Sequence, residues 1–189
     1  MSKSLGNFFT VREKLQDMPG EAIRFALLST HYRSPLDWTT TIEHQAKRAL
    51  NRLYGALREY DPQIKGTMYP KILLALKDDL NIPLAIAGLY ELVSQIHQTQ
   101  DLKIKRQAQA DFRVSAEILG LLQKEPEEWF QGFRGESDIS ITDIESLITD
   151  REGARKNRDF KAADDIRDTL KDKGVILEDS SAGTTWRYG

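Results

Sequence analysis

The first residues that could do chemistry stand at the very start of the chain, in MSKSLGN, where Ser2, Lys3, Ser4, Gly6 and Asn7 follow one another with no large side chain except Leu5. Small polar residues around one ammonium suit a loop that folds about an anion such as a phosphate chain. Backbone N–H groups and Lys3 would do the binding. Five such residues also suit a solvated tail, so the pattern gains meaning only from the rest of the chain. Three histidines, His31, His44 and His97, lie too far apart in sequence to suggest a metal site, and the chain has no cysteine. Thiolate zinc sites and disulfides are thereby excluded, and no metal is expected in this chain.

The elements that would carry these residues are mainly helical. After Pro19-Gly20 the run EAIRFALLSTHYR sets Ile23, Ala26 and Leu27 on one face and is expected to stop before Ser34-Pro35. In TIEHQAKRALNRLYGALREY the residues Ile42, Ala46, Ala49, Leu50, Leu53, Tyr54 and Leu57 recur at helical spacing, Thr40 and Glu43 have the spacing of a capping box, and Pro62 ends the segment. A third stretch begins at Pro70. Asn81 and Pro83 then mark a new helix start that continues to about residue 97, and a fourth long helix spans roughly 103–122, with Ile104, Ala108, Phe112, Ile118, Leu119 and Leu122 available for burial. Four amphipathic helices with short polar links make a bundle.

Composition changes at KEPEEWFQGFRGESD, where Pro126, Gly132 and Gly135 sit in an acidic run that reads as a loosely ordered crossing. Beyond it Thr142 and Glu145 form a second capping-box spacing, with Ile144, Leu147 and Ile148 inside the helix they open. Asp159 can cap the next, in which Ala163, Ile166 and Leu170 recur and Gly174 marks the stop. VILED and TTWRY, either side of SSAG, switch to β-branched and aromatic residues and predict a hairpin. The fold class expected is therefore mainly α, a helical bundle followed by a small α+β unit of two helices and a C-terminal β-hairpin. Its divisions are 1–30, 31–123 (bundle), 124–141 (linker) and 142–189 (small unit).

A net charge of −2 argues against non-specific adhesion to nucleic acid. The sign is nevertheless uneven: residues 1–58 hold nine Lys and Arg against five acids, and residues 123–150 hold eight acids against two bases. Such a division suits a chain that meets an anion at chosen places. No apolar run approaches bilayer length and no signal-peptide pattern is present, so a cytoplasmic location is expected.

Four separated motifs carry a resemblance. MSKSLGN resembles the KMSKS loop of class I aminoacyl-tRNA synthetases, lacking its first lysine, and HYRSPL, DDLNIP and GVILEDSSAGTTWRYG resemble, in the same order, stretches of the bacterial cysteinyl-tRNA synthetase family. The resemblance implies a C-terminal portion of such an enzyme, beginning inside the KMSKS loop with Met1 as the motif's methionine. A Rossmann catalytic domain with an HIGH-type ATP motif and a thiol-selecting zinc ion would lie outside it. In the intact enzyme ATP activates cysteine, which is then transferred to tRNA(Cys), and a monomer is expected.

By the same resemblance Lys3 is the catalytic lysine, stabilising charge on the departing pyrophosphate as its loop closes, while Ser2, Lys3 and Ser4 hold the ATP phosphates. In HYRSPL, Arg33 could meet a phosphate of the tRNA acceptor arm, or pair with a carboxylate at a helix junction. DDLNIP reads structurally, with Asn81 as cap and its aspartates facing solvent or a cation such as Lys77. The residues matching the family's reader of the GCA anticodon are Arg155, Phe160, Asp164 and Asp179, for which stacking plus hydrogen bonds to exposed base edges is the chemistry. Phe160 and Asp164 are one helical turn apart, so they project together. Phe160 could equally open the core stripe of its helix, and Trp186 reads as the anchor of the hairpin. Alone, such a portion is expected to be inactive in ATP–pyrophosphate exchange. Two other readings compete: a free-standing helical tRNA-binding or scaffolding module, and a paralogue joining cysteine to an amino sugar, against which the presence of residues 142–189 counts.

Overall fold

The computed structural model describes residues 9–132, 139–180 and 183–188. It is mainly α-helical with one antiparallel hairpin, the class expected from the sequence. The described chain divides into two compact units, residues 1–127 and 128–189.

In the first unit a helix that the periodicity did not announce comes first. Helix α1, Val11–Asp17, buries none of its residues and owes its start to a capping box: Thr10 Oγ1 accepts from Glu13 N at 3.2 Å, and Thr10 N donates to Glu13 Oε2. Helix α2, Gly20–Leu28, buries Ala22, Ile23, Phe25 and Ala26. It ends earlier than expected, because residues 31–34 form a turn closed by Ser34 N donating to the His31 carbonyl. Leu27, expected on the buried face with Ile23 and Ala26, is 51% exposed, and Ala22 and Phe25 join the buried face instead.

Helix α3, Thr40–Ala56, is capped by Thr39, whose hydroxyl accepts from Ile42 N; the Thr40/Glu43 box does not form. Glu43 is instead engaged by the Trp38 indole and Lys14. The helix also stops short of Pro62, and the buried Gln109 amide donates to the carbonyls of Ala56 and Arg58 at its end, at 2.9 and 3.0 Å. Helices α4 (Pro70–Lys77), α5 (Ile82–Gln98, capped by Asn81 as expected) and α6 (Leu102–Glu117) complete the bundle. Leu50, Leu53, Tyr54, Leu57, Ile72, Leu89, Ile96, Phe112 and Leu121 are fully buried in this unit. Ile104 and Ile118 are exposed instead: Ile118 follows Ala116 by about 200° around the helix.

Two close approaches fix the packing. A Cβ on Gly66 would lie 2.1 Å from the Ala110 carbonyl oxygen, and one on Gly88 would lie 2.8 Å from Ile72. A polar chain also ties α2 to α3 and to the segment after α6: Glu21 accepts from the Tyr54 hydroxyl and from Leu122 N, both at 2.7 Å.

The stretch expected to be a loose crossing contains helix α7, Pro126–Gly132, in which Trp129 and Phe130 are buried. Two large apolar side chains supply the burial that its acidic neighbours lack.

In the second unit helix α8, Ile141–Lys156, is capped two residues earlier than the Thr142/Glu145 spacing suggested, by Ser140, whose hydroxyl accepts from Asp143 N. Helix α9, Phe160–Asp172, is capped by Asp159, and Gly174 with φ of 76° ends it. Strands β1 (Val175–Ser180) and β2 (Gly183–Tyr188) pair Leu177 with Trp186 and Asp179 with Thr184. The core of the unit is Ile139, Ile144, Leu170, Val175, Leu177, Trp186 and Tyr188. Trp186, 3% exposed and edge-on to Tyr188, anchors the hairpin.

Candidate functional site

Helix α8 brings its last two turns past the turn end of the hairpin. Arg151 and Arg155 are four residues apart and share a face. Arg151, with its side chain 4% exposed, donates through both terminal nitrogens to Asp179: Nη1 to Oδ1 at 3.0 Å and Nη2 to Oδ2 at 2.8 Å. The Thr184 hydroxyl, across the strand pair, donates to Oδ1 at 2.7 Å, and Arg155 Nη1 to Oδ2 at 3.4 Å. Arg167 of α9 stands 3.9 Å from Oδ2. A carboxylate has about four acceptor positions, and these four bonds fill them. The Arg151 bonds, helped by Thr184 and by the nearby arginine charges, hold the Asp179 carboxyl well below the usual carboxylate range.

Of the four residues the sequence singled out here, the structure therefore joins two, Arg155 and Asp179. Asp179 has its oxygens turned to its own chain, because the hairpin register places it opposite Thr184 and against Arg151. Arg155 retains half of its side-chain surface. Phe160 opens α9 after a connection in which Arg158 adopts φ of 60° and Asp159 N donates to the Ala154 carbonyl. It is 63% exposed, which settles its place as surface rather than core. Asp164, one turn further along α9, is exposed and adds to the field on Arg151. The surface thus offers an uncovered aromatic ring, a carboxylate and a guanidinium on adjoining helix ends, a combination that can stack on one planar base and hydrogen-bond its edge.

Arg151, Thr184 and Arg167 escaped the sequence reading. Counting the hairpin register outward from SSAG would have paired Asp179 with Thr184, and the helical i−4 position from Arg155 is Arg151.

In the first unit Arg33 is paired with a carboxylate. Its Nη2 lies 3.0 Å from Asp79 Oδ1, its Nε donates to the Tyr32 hydroxyl at 2.7 Å, and that hydroxyl donates to Asp79 Oδ1, also at 2.7 Å. Asp79 consequently keeps about half of its side-chain surface in solvent, as expected, and its cation is Arg33 rather than Lys77, with the Tyr32 hydroxyl beside it. It stands at a turn where Asp79 and Leu80 have φ of 49° and 51°. The Arg33–Asp79 pair is exposed on both sides, so its net worth is about 0–1 kcal/mol and a phosphate could displace the carboxylate at small cost.

Ser2, Lys3 and Ser4 lie outside the described residues. Among the described residues no three His, Asp or Glu side chains converge as metal ligands would, and no helix is long and apolar enough to cross a membrane.

Matches to known proteins run in the same order along the chain. Residues 1–48 match the family model of the class I (C) tRNA synthetase catalytic domain, residues 72–123 the DALR domain, and residues 142–187 the cysteinyl-tRNA ligase anticodon binding domain. A cysteine-tRNA ligase of Paramagnetospirillum magneticum is 48% identical over 193 aligned residues, covering 100% of this chain and 42% of that protein. Those of Rhodospirillum rubrum and Parvibaculum lavamentivorans are each 44% identical over 99% of this chain and 41% of their own length. The chain spans about two fifths of the length of these relatives. With three successive family models matched and this identity sustained from end to end, the chain belongs to the cysteinyl-tRNA synthetase family and corresponds to its C-terminal portion.

Proposed function

We propose that the chain works within a cytoplasmic, monomeric cysteine-tRNA ligase that uses ATP to activate cysteine and transfers it to tRNA(Cys). In this reading residues 1–30 supply the KMSKS loop and adjoining stem contact, residues 31–123 the bundle that carries the tRNA, and residues 142–189 the anticodon reader, with 124–141 between. Lys3 stabilises the negative charge that develops as pyrophosphate leaves, and Ser2 and Ser4 help seat the phosphates. Arg33 exchanges Asp79 for a phosphate of the acceptor arm. The zinc ion associated with selecting cysteine is assigned in this reading to the other portion of the enzyme.

The observation that supports this most strongly is the exposed Phe160, Arg155 and Asp164 on the helix ends of the segment that matches the anticodon-binding model. Phe160 stacks on a splayed base, Asp164 accepts the N1–H and N2–H of guanine, and Arg155 donates to the O6 and N7 of that base. Asp179 contributes by holding Arg155 in place.

The test compares Kd of the chain for tRNA(Cys) carrying GCA with Kd for an ACA variant. Adenine presents guanine's donor–acceptor pattern in the wrong order, so the wild type should prefer GCA by about 1–3 kcal/mol. Asp164→Asn turns one acceptor into a donor and should narrow that gap. A preference left at the wild-type value by Asp164→Asn would make Asp164 an ordinary surface carboxylate.

A further inference from the structure

Asp179 is reached by four donors, and of the three arginines around it only Arg151 is buried. Arg151 is 4% exposed, and no bond joins it to Phe160, the exposed ring that the proposed reading sets against a base. Its Nε is buried with no hydrogen-bond partner, and beyond a long 3.4 Å bond from Nη1 to the Thr184 hydroxyl the guanidinium is held in place by Asp179. Burying a cation with an unsatisfied N–H is costly. A plain hairpin-to-helix contact could be made by an apolar pair of the same volume at no such cost. What an apolar pair could not do is orient a carboxylate. The two parallel bonds from Arg151 fix both oxygens of Asp179, and the second oxygen in turn holds Arg155, the half-exposed cation on the surface.

We infer that Arg151 is a positioning residue for anticodon discrimination: by clamping Asp179 in a bidentate pair it sets where Arg155 stands. The inference rests on the reading of residues 142–189 as the anticodon reader. Hydrogen-bond readout demands heavy-atom placement within a few tenths of an ångström, so a carboxylate free to rotate would loosen Arg155 and blur the choice between bases while leaving general attraction to phosphate intact. The bidentate geometry is therefore the functional element, beyond the charge alone. Lysine keeps that charge but presents a single point donor.

The experiment measures the Kd ratio between GCA and ACA forms of tRNA(Cys) for the chain and for Arg151→Lys, with amide exchange of residues 175–179 and 184–188 as a measure of the hairpin. Arg151→Lys should cut the GCA preference by about 10-fold, leave the salt dependence of binding unchanged, and keep hairpin amides within about 10-fold of wild-type protection. Thr184→Val, which removes one hydroxyl donor to Asp179 at nearly constant volume, should lower the preference in the same direction by a smaller factor, and it carries the test if the lysine variant does not fold. Wild-type preference in both variants, or in Thr184→Val when the lysine variant does not fold, would overturn the role of Arg151 while leaving the anticodon reading standing. Absence of any preference in the wild type would overturn that reading, and this inference with it.

Discussion

Replacing Asp179 by alanine removes the carboxylate around which Arg151, Arg155 and Arg167 gather. Arg151, buried at 4% side-chain exposure, would lose its paired anion, and Arg155 and Arg167 would remain within reach as like charges. Breaking a buried pair by deleting one partner costs about 3–5 kcal/mol, and because Asp179 is itself one-third exposed the lower end applies, about 3 kcal/mol. The attraction of Asp164 for Arg151 offsets a fraction of this. The double variant Arg151→Met/Asp179→Ala removes the stranded cation, replaces its stem with apolar surface, and should return to within about 1 kcal/mol of the wild type. Native-state amide exchange across β1 and β2 reads these differences locally, which a global transition of a two-unit chain would not. Asp179→Ala should speed exchange of those amides by about 100-fold, and the double variant should recover most of it. Acceleration of less than about 3-fold by Asp179→Ala, or equal acceleration in both variants, would refute the claim that stranding the buried Arg151 is what costs stability.

The pH dependence has a definite sign. Asp179 titrates below its unfolded value of about 3.9, so its stabilisation is complete above that pH and is lost as pH falls through the lower folded value. Hairpin protection in the wild type should therefore fall as pH drops below about 4, and this acid-dependent loss should be absent from Asp179→Ala, checked by exchange-detected NMR between about pH 3 and 6. Tyr54→Phe leaves the acceptor Glu21 Oε2 and the donor Lys124 N without their hydroxyl partner and should cost about 1–3 kcal/mol in urea unfolding of the bundle. Gly66→Ala forces a Cβ against the Ala110 carbonyl and should lower Tm, with a cost of about 1–3 kcal/mol for the backbone shift it requires. In the intact ligase Lys3→Ala should slow cysteine-dependent ATP–pyrophosphate exchange by roughly 10²-fold with little change in cysteine KM, and an unchanged rate would remove Lys3 from the mechanism.

The order of elements was legible because periodicity and local caps are short-range properties of the chain. Asn81 and Asp159 cap the helices assigned to them, Gly174 ends α9 in the left-handed region, and the alternation of VILED and TTWRY is paired as a hairpin. Where two residues could cap the same helix, the choice needed the backbone: Thr39 and Ser140 have the extended φ and ψ that a cap requires, and Thr40, Thr142 and Glu145 are already helical. Helix α1 was missed because it has no buried stripe to betray it, and α7 because two aromatic side chains, Trp129 and Phe130, outweigh an acidic and glycine-bearing composition.

The sequence by itself determined which residue types were available for stacking and hydrogen bonding, since Arg155 falls in the last turn of one helix and Phe160 and Asp164 stand one helical turn apart at the start of the next. Only the tertiary structure decided what each is free to do. Phe160 is on the surface and not in the core because the buried stripe of α9 is Ala163 and Leu170, and a side chain at the first position of the helix lies beyond its edge. Asp179 is an internal acceptor and Arg151 its clamp because a hairpin register, a helix face and a buried cation coincide at one point. That coincidence joins residues 28 positions apart, and no local rule of the chain encodes a distance between elements that meet only through their packing.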